Sequence, residues 1–279
     1  MRFFAIVLLI ISGGSIAGAA EPLAADAFAL RILDCEGLYT VSCGLKPVSD
    51  GFWETRFPEK HETSDEVDRA RRILECMPLG PDLEAGVYVF FTPFKGQKIA
   101  SAFVVHKPSL RRLIVRRKDV FDAIGIDVDT APQRVMEKID RAPRASRWRA
   151  FGLVFGYPKY AVDFFVEAGE QQAATKKFVE RDFVQLPTFA SEEGRFVYAV
   201  PKGHVERTED RDLKSSTGEI FSRYLVWRSV YIGDGKSGAI ELLKSWIAAP
   251  PNTAGYPYQI SPCQNRLATI VRYRRLRCR

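Results

Sequence analysis

Apolar positions along the chain recur at two spacings, and the alternation between them predicts most of the elements. In residues 63–77, Val67, Ala70, Ile73 and Leu74 fall on one face at the three-and-four interval of a helix. Thr63 is placed to cap that helix, Glu66 stands three residues on to return the bond, and Pro78 forbids continuation. Residues 86–94 and 99–105, rich in Val, Tyr, Phe and Thr, flank Pro93-Phe94-Lys95-Gly96-Gln97 and predict a hairpin. Leu113-Ile114-Val115 predicts a third strand, and residues 119–124 a short helix. Thr130 and Gln133 stand in capping-box register ahead of another helix, with Pro132 in its first turn. Residues 145–155 and 158–172 read as two helices split by a tight corner at Gly156-Tyr157-Pro158.

The second half returns to period two at residues 183–186 and 195–200, on either side of a loop. Residues 220–232, rich in Tyr, Val, Ile and Trp, predict a strand. Residues 237–248 predict a helix with Ile240, Leu243, Trp246 and Ile247 on one face, and residues 267–273 one more strand. The polar stretch 202–218 reads as a solvated loop. Strands and helices are segregated, which predicts an α+β fold with mixed or antiparallel sheet segments and several packed helices. Residues 21–279 are expected to form one globular unit, with a break between lobes, if there is one, near residues 202–218.

The front of the chain changes the picture. Arg2, an apolar run over residues 5–11 and the small residues Ala17-Gly18-Ala19-Ala20 have the form of a secretory signal, so residues 1–20 are expected to be cleaved and the remainder exported to the periplasm or the extracellular space. No later stretch is apolar enough to span a bilayer. In an oxidising compartment the five cysteines become bridge candidates. Spacing pairs Cys35 with Cys43 and Cys263 with Cys278, leaving Cys76 over.

Composition excludes a disordered chain, since 46% of residues are hydrophobic and 12% aromatic. The formal net charge of +7 is unevenly spread. Arg111, Arg112, Arg116, Arg117 and Lys118 crowd together after Lys107, Arg141, Arg144, Arg147 and Arg149 follow, and Arg272, Arg274, Arg275 and Arg277 crowd the end. Guanidinium groups suit bidentate contact with phosphate, sulfate or carboxylate. An anionic polymer, a lipid headgroup surface or an acidic protein fits an exported chain, and nucleic acid does not. Tyr157-Pro158-Lys159-Tyr160 and Tyr256-Pro257-Tyr258 read as corners with inward rings.

Catalytic and metal patterns fail on spacing. His61, His106 and His204 never pair at a metal-ligand interval. Lys214 stands where a calcium loop starting at Asp210 needs an oxygen ligand. Gly233-Asp234-Gly235-Lys236-Ser237 matches only the end of a phosphate loop, because Val230 replaces its first glycine. No Gly-x-Ser-x-Gly elbow is present. The sequence therefore points to an exported, non-catalytic binding protein with no cofactor and no metal, acting through an arginine-rich surface. The alternative is an extracytoplasmic hydrolase in which one of the three histidines serves a dispersed Cys43 or Ser nucleophile.

Overall fold

The computed structural model describes residues 25–42, 44–190, 196–233 and 238–248. Its fold is α+β, with ten α-helices and two antiparallel sheets among those residues. In chain order the elements are α1 (Ala25–Asp34), α2 (Gly37–Val41), β1 (Val48–Pro58), α3 (Asp65–Glu75), β2 (Leu83–Val89), β3 (Gln97–His106), α4 (Lys107–Arg116) and α5 (Lys118–Phe121). There follow α6 (Pro132–Arg141), α7 (Arg144–Val154), α8 (Lys159–Thr175), β4 (Arg181–Leu186), β5 (Phe196–Pro201), α9 (Thr208–Arg228) and α10 (Ala239–Ala248).

The larger sheet has the order β1-β3-β2, with both pairings antiparallel. Its central strand is buried on both faces, which is why β3 reads as Ala-Ser-Ala-Phe-Val-Val rather than as a clean alternation. Ala100, Ala102 and Val104 face a core built with Phe28, Ile32 and Leu38. Phe103 and Val105 face a second core built with Ile114, Met136 and Phe151. Helices α1 to α3, with α9, α10 and the β4–β5 hairpin, thus enclose one face, and α4 to α7 enclose the other.

Strand β1 carries a bulge. Asp50 pairs with Phe103 and Glu54 with Ser101, so Gly51, Phe52 and Trp53 together oppose Ala102. Gly51 takes a positive φ of 73° there, and its N–H donates to Ser101 Oγ at 3.2 Å. The bulge lets the adjacent Phe52 and Trp53 both enter the core built on Phe28 and Ile32, where regular alternation would send them to opposite faces.

The expected hairpin of β2 and β3, the helices on either side of Gly156, the β4–β5 hairpin and the helix over residues 237–248 all form. Gly156 has φ 77°, and a Cβ there would lie 3.3 Å from Cα of Lys46, so glycine alone fits the corner. Four local expectations are overturned. Leu113-Ile114-Val115 belongs to helix α4, because His106 accepts from Ser109 N–H as its cap and Leu110, Leu113 and Ile114 share one buried face. Tertiary burial outweighs their β propensity.

Helix α3 is capped by Ser64, which accepts from Val67 N–H at 3.3 Å, while the Thr63 hydroxyl donates to Asp68. Helix α6 begins without a side-chain cap, since Thr130 Oγ1 donates instead to Asp127 Oδ1 at 2.7 Å. The largest departure is α9. Residues 202–218 were expected to be a loop and 220–232 a strand, yet residues 208–228 form one helix. Asp210 caps its start by accepting from Arg207 N–H at 2.8 Å. Leu213, Thr217, Ile220, Tyr224 and Trp227 then form an inward stripe at alternating four and three spacing. The first half of that stripe is hidden in sequence by its charged neighbours. The expected strand at 267–273 and the signal segment 1–20 lie outside the described residues.

Candidate functional site

The basic residues at 111–118 fall on two consecutive helices. Helix α4 buries Leu110, Leu113 and Ile114, and so turns Arg111, Val115 and Arg116 to solvent. The Arg111 and Lys118 side chains are 63% and 73% exposed. Each has an acidic neighbour: Arg111 lies 3.3 Å from Asp129, Arg117 bonds Asp119 through both Nε and Nη2, and Lys118 lies 2.5 Å from Asp122. Arg112 turns inward, donating to Ser109 Oγ at 2.8 Å. Arg111, Arg116 and Lys118 are thus exposed on two consecutive helices, Lys107 and Arg117 are half-buried, and aspartates stand beside Arg111, Arg117 and Lys118.

The second basic group is spent locally. Arg141 stacks over Phe91 at 5.0 Å and Arg144 over Trp148 at 5.2 Å, and Arg147 donates to the Asp140 carbonyl at 3.1 Å. Tyr157 stacks on Phe196, so that corner points its ring inward as expected. Arg272, Arg274, Arg275 and Arg277 lie outside the described residues, as do Cys43, Cys263, Cys278 and residues 256–258. Cys35 is buried just beyond α1. Each expected bridge therefore includes a residue outside the described set. Cys76 stands at the C-terminal cap of α3.

The histidines differ in kind. His61 is exposed. His106 is 7% exposed, and its Nδ1 accepts from Ser109 N–H and lies 2.9 Å from Ser109 Oγ. Burial, aided by the Arg112 charge, lowers its pKa to about 4, so near neutrality the ring is neutral and serves as an acceptor. The Ser109 hydroxyl donates to the Gly44 carbonyl at 2.9 Å and receives Arg112. A serine so engaged inside the core is a joint between α4 and the segment before β1, not a nucleophile facing a cleft.

His204 packs flat on Tyr160 and lies 2.8 Å from Asp210 Oδ2. Asp210, wholly buried, also accepts from Tyr198 at 2.5 Å and from Tyr160. Burial works to raise its pKa, but the hydroxyl, imidazole and backbone donors prevail and hold it at about 2. Arg207 caps the group, its guanidinium 4.1 Å above the Tyr160 ring. No Ser or Cys joins this dyad among the described residues, and its carboxylate is saturated by donors. It clasps α8, the end of β5 and the start of α9 together.

A third charged group escapes sequence reasoning. Lys46 is fully buried and ion-paired to Glu36, with Nζ 4.2 Å above the Phe196 ring. Burial lowers its pKa against the opposing pull of Glu36. Asp50 lies nearby, its carboxylate accepting from Tyr88 at 2.7 Å, and burial, with the Glu36 and Glu54 charges, raises its pKa to about 7. These residues come from the cap of α2, the loop before β1, β1 itself, β2 and β5. Nothing in their spacing announced the meeting. The nearest signal is a lysine beside Pro47 at a strand start, which is too common to be read.

Compared with protein-family models, curated proteins and solved structures, the chain has no match.

Proposed function

We propose that this is an exported, non-catalytic binding protein that contacts an anionic partner through α4 and α5. The observation that carries the reading is the exposure of Arg111, Arg116 and Lys118 on one pair of helices, with only surface aspartates as competitors. Such exposed pairs contribute about 0–1 kcal/mol, so a phosphate, sulfate or carboxylate on a partner can replace Asp129 or Asp122 at little cost. The engagement of His106 and Asp210 in core joints supports a binding role over hydrolysis. Among the described residues no helix is long and apolar enough to cross a membrane.

The test is retention on a sulfated polysaccharide across a salt series. Wild-type protein should elute at higher salt than the Arg111→Ser/Arg116→Ser/Lys118→Ser variant, which leaves the Arg112 bond to Ser109 intact and should lose no more than about 1.5 kcal/mol of stability. Equal elution of the two proteins would remove α4 and α5 from the interface.

A further inference from the structure

Strand β2 is one of the two outer strands of its sheet. Phe90 N–H donates to the Ile99 carbonyl and Lys107 N–H to the Asp82 carbonyl, both at 2.9 Å. The even-numbered residues of β2 therefore spend their backbone groups on β3, and Leu83, Ala85 and Val87 turn theirs to the open edge. Part of that edge is covered: the Gln133 amide donates to the Val87 carbonyl at 3.2 Å, and just past the strand Phe91 N–H donates to Asp140 at 2.5 Å. Among the described residues no hydrogen bond reaches the N–H or carbonyl of Ala85. An unpaired edge of this kind is a template for one more strand.

The edge lies in a groove of about 690 Å³ between α3 and α6. Leu74, Met77 and Leu79 supply an apolar wall, and Glu75, Glu84 and Glu137 line the groove. The one basic residue there, Arg71, is held by Asp68 at 3.1 Å. The groove is thus an acidic, strand-sized cleft on a chain whose formal net charge is +7.

We propose that residues 267–273 of this same chain dock on the open edge of β2 as an added strand. Three features single out this occupant. Leu-Ala-Thr-Ile-Val-Arg-Tyr is rich in β-branched and aromatic residues. Arg272, Arg274 and Arg275 bring to it the charge that complements Glu75 and Glu84, Glu137 being already paired with Arg134 at 2.6 Å. Reach is ample: α10 ends at Ala248, and the linker 249–266, at about 3.3 Å per residue, extends to roughly 60 Å, whereas a body of this size has a radius of gyration near 17 Å. The proposal is independent of the basic face of α4 and α5.

Residue-resolved amide exchange on the full chain and on a chain ending at Gln264 tests it. In the full chain the Ala85 N–H should exchange at least tenfold more slowly than in the shortened one, while the Gly86 and Tyr88 amides, which face β3, keep their rates. A peptide of residues 265–279 carrying Cys278→Ser should restore the protection. Should the shortened chain fail to fold, Ile270→Pro in the full-length chain, which removes a strand donor, must expose the Ala85 amide in the same way. Equal Ala85 rates with and without the segment would overturn the proposal. Protection that rises with protein concentration would assign the edge to a second copy and overturn it equally.

Discussion

Asp50 and His106 respond to pH with opposite signs, and the two can be separated by substitution. The Asp50 carboxyl, raised to about 7, binds its proton more tightly folded than unfolded, where an aspartate titrates near 4. Its contribution is fully present below about pH 4 and is lost as pH rises through 7. The His106 imidazole, lowered to about 4, behaves in reverse: its contribution is present above about pH 6.5 and is lost as pH falls through 4. Between pH 4 and 7 the two partly cancel. Urea unfolding across that window should show Asp50→Asn removing stability gained on acidification. His106→Asn, which keeps an acceptor for Ser109 N–H, should abolish a loss of stability on acidification of about 3 kcal/mol. Unchanged pH profiles in both variants would place these groups outside the titration.

At the scale of elements, the α7–α8 hairpin depends on close approach. A Cβ on Gly152 would lie 2.7 Å from Cγ2 of Val162, and one on Gly169 would lie 2.3 Å from the Trp148 ring. Gly152→Ala and Gly169→Ala should each destabilise the fold by about 1–3 kcal/mol, against the usual gain from replacing glycine in a helix. Thermal melts that rise in either variant would contradict the packing described for this pair. The same helices show what sequence makes legible. Gly-Tyr-Pro marked their corner because only glycine and proline satisfy the backbone there, and the hairpins were legible because their strands border turn residues. Helix α9 was not, since its register is carried by Leu213 and Thr217 among acids and lysines, and aromatic, β-branched residues follow. Strand β1 was hidden by its bulge, which seats Phe52 and Trp53 side by side in the core.

At the scale of the whole molecule, two cores share one sheet, and charged joints tie the layers where helices of distant sequence meet. Lys46 with Glu36 joins α2 to the α7–α8 corner and β5. Asp34 accepts from Arg228 at 2.8 Å and Tyr224 at 2.5 Å, fixing the end of α1 to the end of α9. Such joints are properties of the tertiary structure, so they could not be read from spacing. The density of basic residues at 111–118 could be read, but which of them face solvent depends on helix register, since neighbouring residues of a helix point in different directions. What the sequence left out was the accompanying carboxylates and the inward turn of Arg112. The claim that rests on this surface is that α4 and α5 meet the partner, and mapping amide shift changes by NMR during titration with a sulfated oligosaccharide at low salt tests it most directly. Changes clustered on residues 107–118 and abolished by salt are the predicted result. Changes absent from those helices, or centred on the His204 and Asp210 joint, would contradict it.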